Sequence, residues 1–189
     1  MVATLEGQPL ARDRGGCRYW MSDEARVGLL TVSRRKLTGF GVKPIGKQDW
    51  EFCYRWLYGA FEPKSGESFL MEYSHLDGEC FGDFLRGLSQ KYPNELHLVQ
   101  VDNAPGHRSQ QLEIPANVRL LFQPPYCPEV NGAERMWEEL RKDWGWIRFS
   151  GLEDLQERIS RWVNQLSPEI VKKLTQWDWL MDGLLVAGL

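Results

Sequence analysis

The first part of the chain shows the two-residue alternation of apolar and polar side chains that is typical of strands. Residues 18–23 alternate in character and are rich in aromatic rings, which predicts a strand that ends near Asp23. Residues 52–61 and 68–73 form two more runs of this kind. Proline and glycine lie in the segment between these two runs, which therefore predict a hairpin.

The middle of the chain alternates helical and strand patterns. Asp77 begins an amphipathic stretch that stops before Pro93, and its apolar side chains recur at helical spacing. Residues 96–101 are β-rich and end at Asp102, and residues 118–122 predict another short strand. We therefore expect Asp102 at the carboxyl end of a central strand.

The last third of the chain is predicted to be helical. Apolar residues between 130 and 144 recur every three or four positions along one side of a predicted helix. A second amphipathic helix is predicted over residues 152–163, and Pro168 suits the first turn of a third. This order of elements predicts an α/β fold with a mixed sheet flanked by helices.

The same order divides the chain into three parts. We expect an N-terminal extension over residues 1–16, an α/β core over residues 17–150 and C-terminal helices over residues 151–189 that pack on the core. No linker long enough to separate two domains interrupts this sequence of elements.

Composition excludes several classes of protein. A hydrophobic share of 42% in 189 residues predicts a well-packed globular domain. The sequence has no run of about 20 apolar residues and no secretory signal, so we expect a cytoplasmic, nucleoid-associated protein with no membrane contact. The four cysteines are too far apart in sequence for a structural zinc site, and buried reduced thiols are the simpler interpretation.

Charge is distributed unevenly, although the net charge is only −3. Residues 1–47 carry nine basic and four acidic side chains, and the run Arg34, Arg35 and Lys36 is a candidate DNA-phosphate surface. A solvated basic turn is the alternative for this run. The basic excess is small for a protein that binds nucleic acid through counterion release. Any strong DNA affinity is therefore expected to depend on bound metal, a partner or a further domain.

Three carboxylates are candidates for chemistry. Taken singly, Asp23 is explained as a solvated acid at a strand end, Asp102 as a ribose contact, and Glu134 as part of a capping box with Asn131. If Asp23 and Asp102 lie on neighbouring strands, all three acids converge at one end of the sheet. Such a cluster requires cations, and carboxylates are the ligands that Mg²⁺ or Mn²⁺ prefers. The arrangement favours phosphoryl transfer with two metal ions.

Three segments around these acids resemble motifs of a known family. They are residues 22–29 (SDEARVGL), 101–107 (VDNAPGH) and 124–137 (PPYCPEVNGAERMW). They resemble the three acidic motifs of bacterial insertion-sequence transposases in the Tc/mariner-like superfamily. The likeness extends from about residue 16 to residue 179.

The resemblance implies a ribonuclease H-like fold and a DDE active site. By position, Asp23, Asp102 and Glu134 are then the catalytic residues and the ligands of two Mg²⁺ or Mn²⁺ ions. The third motif departs from the family pattern, because Cys127 replaces a serine, Gly132 a proline and Ala133 a larger aliphatic residue. Gly132 lacks the rigidity that proline gives the first turn of a helix.

Four other side chains belong to this hypothesis. Strand alternation points Glu24 away from Asp23, so we interpret it as a supporting residue. His107 is a candidate to contact a DNA phosphate or to polarise a water molecule, and a surface or capping histidine is equally expected. Arg141 is a candidate DNA contact, and an i,i+3 pair with Glu138 is the simpler alternative.

The resemblance also implies a function. The chain is expected to be the catalytic domain of a DNA transposase, which hydrolyses the phosphodiester at element ends and joins the 3′-hydroxyl to target DNA. Its expected partners are transposon-end and target DNA and a second copy in a homodimer on DNA. Since no helix-turn-helix module fits before Asp23, we expect either a fragment of a longer reading frame or one half of a split transposase, whose further partner is a separate helix-turn-helix polypeptide. Two alternatives stay open: a ribonuclease H-like nuclease without strand transfer, and a non-catalytic remnant that binds DNA or a partner.

Overall fold

Five strands form one mixed sheet in the computed structural model, which describes residues 16–35, 37–43 and 45–189. The order across the sheet is β3-β2-β1-β4-β5. Strands β1, β2 and β3 pair antiparallel, whereas β4 pairs parallel with both β1 and β5. The bounds are β1 Cys17–Gly28, β2 Tyr54–Phe61, β3 Ser68–Tyr73, β4 Leu96–Val101 and β5 Val118–Phe122. The predicted hairpin, central strand and mixed sheet are confirmed.

Strand β1 continues well past the predicted end near Asp23, which corrects that prediction. Its first half pairs with β4 up to Met21, and its second half pairs with β2 from Met21 to Gly28. Asp23 therefore lies within a paired strand, just beyond the point where β4 ends its pairing with β1. The two adjacent acids suggested a strand end, but Ala25 and Val27 continue the buried alternation.

Five helices cover the sheet. The predicted helix after Asp77 is confirmed, because the Asp77 side chain accepts a hydrogen bond from the backbone N–H of Cys80 and caps the helix at its start. Ser167 caps the helix that begins at Pro168 in the same way. The bounds are α1 Gly78–Lys91, α2 Ala133–Leu140, α3 Leu152–Gln165, α4 Pro168–Thr175 and α5 Asp178–Val186.

Helix α2 is shorter than the helix predicted over residues 130–144. Residues 128–130 form a separate 3₁₀ turn, and Asn131 has an extended backbone with φ −111° and ψ 108°. Two side-chain contacts of Asn131 hold this break. Its Nδ2 donates to the carbonyl oxygen of Ser22, and its Oδ1 accepts from the N–H of Ala133. The apolar spacing continues through the break because Val130 is half-buried and Trp144 is buried.

The two faces of the sheet carry separate cores. Helices α2 to α5 pack on the face that holds Met21, and Trp137 and Leu155 lie in the same cluster. Helix α1 packs on the opposite face against Trp20 and Val99. Asp23 therefore faces α2, and Glu24 faces the α1 side, as strand alternation predicts.

The C-terminal helices contribute directly to the first of these cores, since Leu155, Val171 and Leu184 are buried there. The domain boundaries at residues 17 and 150 stay predictions. The predicted extension over residues 1–16 lies outside the described residues apart from Gly16. Within the described part of the chain, no helix is both long and apolar enough to cross a membrane.

All four cysteines are free thiols. Cys17, Cys80 and Cys127 are half-buried, whereas Cys53 is exposed, so the prediction of buried thiols is wrong for Cys53. It lies directly before β2, at the end of the exposed connection from β1, where the sequence pattern gave no sign of the boundary.

Candidate active site

Asp23 is held in the centre of the sheet by a tryptophan. Its Oδ2 accepts a hydrogen bond of 2.8 Å from the indole Nε1–H of Trp137 on α2. The cross-strand partner of Asp23 is Gly59 on β2. A Cβ at position 59 would lie 2.6 Å from the Trp137 ring, so only glycine lets the indole rest on the sheet and reach Asp23.

Asp23 is difficult to ionise in this position. Burial, reinforced by the negative charges of Glu134 and Glu24, raises the pKa of Asp23 from its ordinary value of 3.8 to about 7. The hydrogen bond from Trp137 acts in the opposite direction, because it stabilises the carboxylate. An acid with these surroundings favours a nearby cation, which stabilises the charged form.

Asp102 follows directly after β4, as the sequence predicts. Its Oδ1 accepts two hydrogen bonds of 2.8 Å, one from the backbone N–H of Ala104 and one from Nδ1 of His107. The Asp102 side chain is 45% exposed. Because Oδ1 takes both bonds, Oδ2 is the oxygen left to face the solvent.

Glu134 lies in the first turn of α2, and contacts with β1 fix where that turn begins. Asn131 donates to the carbonyl of Ser22 at 2.9 Å, and the N–H of Gly132 points at the sulfur of Met21 at 3.1 Å. The capping box is only partly formed. Asn131 accepts a hydrogen bond from the backbone N–H of Ala133, but the N-cap residue is Gly132. The side chain of Glu134 is exposed and lines a cavity that it shares with Asp23 and Asp102.

One open cavity of about 390 Å³ brings the three acids together. Asp23, Asp102 and Glu134 line it, with the residues of the proline-rich loop, 123–128, along its rim. None of the described residues that line it is basic. Three acids and no basic lining residue favour the binding of a cation in this cavity.

The donor set of the cavity fits a hard divalent cation. Its charged groups are all carboxylates, and Asn103, Asn131 and Gln123 add neutral amide oxygens. In the described part of the chain, however, no three acidic, histidine or cysteine side chains are already grouped at metal-binding geometry. The three acids therefore line one cavity, and their role as ligands of a metal ion stays a prediction.

His107 is placed differently from the predicted phosphate contact. Its ring is only 5% exposed, and its centroid lies 4.2 Å from that of Phe81 on α1. Nδ1 faces Asp102, and Nε2 faces Oε1 of Glu24 at 3.1 Å. Burial lowers the pKa of His107, but the hydrogen bonds and charges of Glu24 and Asp102 outweigh burial and raise it. Both ring nitrogens are engaged, which leaves none to reach a DNA phosphate.

Two predicted DNA contacts that are far apart in sequence meet in space. Arg34 donates to the carbonyl of Arg141 at 2.9 Å, and Arg141 donates to the carbonyl of Arg26 at 3.1 Å. The guanidinium of Arg26 lies over the ring of Tyr54 at 4.0 Å. We call Arg26, Arg34 and Arg141 the arginine cluster; among the described residues, none of the three is paired with a carboxylate.

The remaining predicted contacts are less defined. Arg35 is exposed. Lys36 lies outside the described residues, so its predicted role stays a prediction. The simpler alternative for Arg141, a pair with Glu138, is replaced by its bond to the backbone of Arg26.

The sequence interpretation did not identify three residues that shape the surroundings of Asp23 or the arginine cluster. Trp137 was interpreted as core only, and Gly59 and Arg26 were not singled out. Trp137 and Arg26 both lie inside the motif segments, at 124–137 and 22–29, so an indole donor and a cation next to the acids were available signals. Gly59 gives no local signal, because its role depends on a ring from a helix that follows about 75 residues later.

Comparison with known proteins adds an independent observation. A family model described as a DDE superfamily endonuclease matches residues 18–156. An uncharacterized protein of Sinorhizobium fredii, y4pE/y4sA, is 28% identical over 92 residues, which cover 48% of this chain and 68% of that protein.

Solved structures of the Mos1 transposase share the fold. The Mos1 mariner paired-end complex with Mn superposes with a TM-score of 0.66 at 14% identity, over 84% of this chain and 52% of that chain. The Mos1 strand transfer complex gives 0.65 at 13% identity, over 93% and 54%. At these identities the likeness concerns the fold alone and confirms a ribonuclease H-like architecture. This chain spans about half the length of the Mos1 chains.

Proposed function

The chain belongs to the DDE endonuclease superfamily, and from that premise we propose that it is the catalytic domain of a DNA transposase. In this proposal water hydrolyses the phosphodiester at the end of the element. The freed 3′-hydroxyl then attacks target DNA in the same site. Both steps are substitutions at phosphorus that need no covalent bond to the protein, so positioning and charge carry the catalysis.

The observation that carries the proposal is the shared anionic cavity of Asp23, Asp102 and Glu134. These three acids come from a strand, a strand end and a helix, and nothing basic among the described lining residues offsets them. Asp23, Asp102 and Glu134 are the residues that would hold Mg²⁺ or Mn²⁺. When bound, two such ions supply Lewis acidity to the attacking and departing oxygens.

The protein's own residues orient the site. Trp137 fixes one oxygen of Asp23, and Ala104 and His107 fix one oxygen of Asp102. Asn131 ties the start of α2 to β1, so Glu134 keeps its place opposite Asp23. Fixed carboxylates lose little conformational freedom on binding, which favours a pre-organised site.

The arginine cluster supports a path for DNA away from the acids. Glu134 and Arg141 are seven positions apart along α2, which corresponds to about 10 Å. That separation equals about three nucleotides of one strand at 3.4 Å per nucleotide. In our proposal a strand whose scissile phosphate lies at the acids therefore places a phosphate near Arg141 and the neighbouring Arg34, with Arg35 further along the β1–β2 connection.

The Mos1 complexes bear on the partners. One of them holds the left transposon end, and another is a strand transfer complex. Together with the shared fold, they support DNA as the substrate here. A homodimer on DNA, a separate helix-turn-helix polypeptide for end recognition and a nucleoid-associated location in a bacterial cytoplasm complete the proposal.

A strand-transfer assay tests this function. Duplexes that end in the repeats flanking the gene, one strand labelled, are incubated with the protein and Mn²⁺ or Mg²⁺, with Asp102→Asn as the matched inactive variant. The proposal predicts cut ends and products joined to a second DNA, both lost in the variant. Cutting without joining would indicate a ribonuclease H-like nuclease. Activity that survives Asp102→Asn, or no metal binding at all, would contradict the proposed site.

A further inference from the structure

A continuous chain of hydrogen bonds runs from Asp102 through His107 to a second acid on the adjacent strand. Nδ1 of His107 lies 2.8 Å from Oδ1 of Asp102, and Nε2 lies 3.1 Å from Oε1 of Glu24. Asp102 follows β4, Glu24 lies on β1, and the 3₁₀ turn of residues 105–108 carries His107 back between them. These hydrogen bonds therefore link the end of β4 to the interior of the neighbouring strand β1.

Glu24 and His107 are separated from the cavity of the acids. Their side chains are 7% and 5% exposed, and neither is among the residues that line that cavity. Phe81 of α1 packs against the imidazole ring. A buried carboxylate is costly unless it is hydrogen-bonded, so Glu24 depends on His107 as much as His107 depends on Glu24.

Asp102 has the opposite surroundings. Its side chain is 45% exposed, and the contacts of its carboxylate are confined to Oδ1. Without His107, only the N–H of Ala104 would restrain it. A half-exposed aspartate with one restraint samples several rotamers, and each of them moves Oδ2 relative to Asp23 and Glu134.

We propose that Glu24 and His107 are positioning residues, which lock the Asp102 carboxylate through the buried chain Glu24–His107–Asp102 so that Oδ2 faces the cavity. The inference rests on the proposed function, because it supposes that Asp102 binds a cation. Glu24 holds the ring, the ring holds Oδ1, and Oδ2 is left for the ion. Hydrogen-bond partners of this kind typically change metal affinity or activity by 10–100-fold.

Two substitutions at position 107 test the two hydrogen bonds of the His107 ring separately, one to Asp102 and one to Glu24. The Asn side-chain nitrogen is attached to Cγ, as Nδ1 is, so His107→Asn keeps a donor towards Asp102 and loses the bond to Glu24. His107→Gln reaches one bond further, so it keeps the bond to Glu24 and loses the bond to Asp102. If His107 positions Asp102, His107→Gln is expected to bind Mn²⁺ about 10–100-fold more weakly than the wild type. The affinity of His107→Asn is expected to lie closer to that of the wild type.

His97 offers a matched control. It is another fully buried histidine, and both of its nitrogens are engaged, with Trp20 Nε1–H at 3.1 Å and the Tyr92 carbonyl at 3.0 Å. It lies at the start of β4, whereas Asp102 follows the end of that strand. His97→Asn is expected to lower the thermal midpoint and to leave Mn²⁺ affinity unchanged. A merely structural His107 would behave in the same way as His97.

Glu24→Gln tests whether Glu24 acts through His107. Alone, Glu24→Gln is expected to weaken Mn²⁺ binding. In the His107→Gln background it is expected to cause little further loss of Mn²⁺ affinity, because the hydrogen bond to Asp102 is already absent. Nitrogen NMR of labelled histidine in the metal-free protein gives a second readout. The His107 ring signals are expected to shift in both Glu24→Gln and Asp102→Asn, whereas the His97 signals stay in place.

Isothermal titration with Mn²⁺ decides between the outcomes. Weaker binding in His107→Gln, with only partial recovery in His107→Asn because the bond to Glu24 is still lost, supports the inference. The positioning role would be overturned if folded His107→Gln bound Mn²⁺ as tightly as the wild type, or if the His107 ring signals did not shift in Asp102→Asn. Either result would leave the proposed function intact. A wild-type protein that binds Mn²⁺ with the expected variant pattern, yet cuts no DNA, would overturn the proposed function and not the positioning role. A wild-type protein that binds no Mn²⁺ would overturn both.

Discussion

Asp23 shows how the surroundings of one residue decide its chemistry. It is half-buried on a strand and feels the negative charges of Glu134 and Glu24. The indole N–H of Trp137 is its one side-chain hydrogen-bond donor among the described residues. Burial and like charge both favour the protonated acid, whereas the indole and any bound cation favour the carboxylate. The proton on Asp23 and a cation in the cavity therefore compete.

The contribution of Asp23 to the stability of the metal-free protein is expected to fall as pH rises. Folded Asp23 keeps its proton up to about pH 7, whereas the unfolded chain releases it near pH 3.8. The contribution of Asp23 is therefore fully present below about pH 4 and is lost as pH rises through 7, to a limit of about 4 kcal/mol. Urea unfolding from pH 4 to 8 measures it.

Asp23→Asn is the variant for that series, because it removes the titrating group. The slope of the free energy of unfolding against pH is expected to be smaller in Asp23→Asn than in the wild type, to which His107 also contributes. Asp182→Asn, which changes an exposed acid on α5, is the control and is expected to keep the wild-type slope. Equal slopes in Asp23→Asn and the wild type would contradict a raised pKa at Asp23.

Trp137→Phe removes the donor to Asp23 and keeps most of the buried ring. The carboxylate then loses its only side-chain hydrogen bond among the described residues, so Mn²⁺ affinity and DNA cleavage are both expected to fall. The loss of a hydrogen bond to a charged group corresponds to about 1.5–3 kcal/mol, or about 10–150-fold. Trp162→Phe, which alters the ring packed 6.4 Å from Trp137, is expected to leave both unchanged.

At the scale of elements, the start of α2 is the junction on which the site depends. Gly132 lies at the N-cap with φ −65°, a value that proline also adopts. A Cβ at position 132 would lie 2.6 Å from the sulfur of Met21 and 3.2 Å from Cα of Thr175, and proline would also lose the N–H that points at Met21. Close packing of α2, α4 and β1 explains why this chain has glycine where the family motif has proline.

Gly132→Ala is therefore expected to destabilise the protein despite the better helix propensity of alanine. Overpacking against Met21 and Thr175, both fully buried, costs about 1–3 kcal/mol. Gly183→Ala on α5 is the matched control, because its Cβ would contact nothing within 4 Å, and it is expected to be neutral or stabilising by up to about 1 kcal/mol. Urea denaturation of both variants checks the contrast. A neutral Gly132→Ala would show that the junction is looser than described.

Elements with local signals could be predicted from the sequence. The Asp77 cap, the β4 run that ends at Asp102 and the hairpin of β2 and β3 each carry their own caps, periodicity or turn residues. Elements whose limits depend on partners could not. Strand β1 runs past Asp23 because β2 pairs with it, and α2 starts late because Asn131 binds β1.

The candidate site divides in the same way. The three acids were available from the motif segments, and alternation placed Asp23 and Glu24 on opposite faces. The bond from Trp137 to Asp23 and the chain from Glu24 to Asp102 each join residues about 80 or more positions apart. No single-chain pattern encodes such contacts, so His107 was given a surface role that its burial does not fit.

At the scale of the whole molecule, the charge pattern limits how DNA is bound. The net charge is −3, and two divalent ions in the acidic cavity would bring it to +1. Acids line the cavity, and Arg141 of the arginine cluster lies about 10 Å away along α2. A DNA strand is thus expected to be held by cations at both places.

Removing the arginine cluster is expected to weaken DNA binding in a salt-dependent way. Each of Arg34→Gln and Arg141→Gln is expected to lower the slope of log affinity against log salt by about one, irrespective of DNA sequence. Arg86→Gln, on α1 and paired with Asp83, is the control. Fluorescence anisotropy across a salt series measures the slopes, and slopes equal to the wild type in both variants would rule out this DNA path.

The most direct test of the account is the position of Mn²⁺ in crystals of the protein, read from anomalous diffraction. The account predicts manganese peaks in the cavity, with carboxylate oxygens of Asp23, Asp102 and Glu134 as ligands, and their loss in Asp102→Asn. Peaks elsewhere, or a soaked crystal in which the three carboxylates stay apart around an empty cavity, would contradict it.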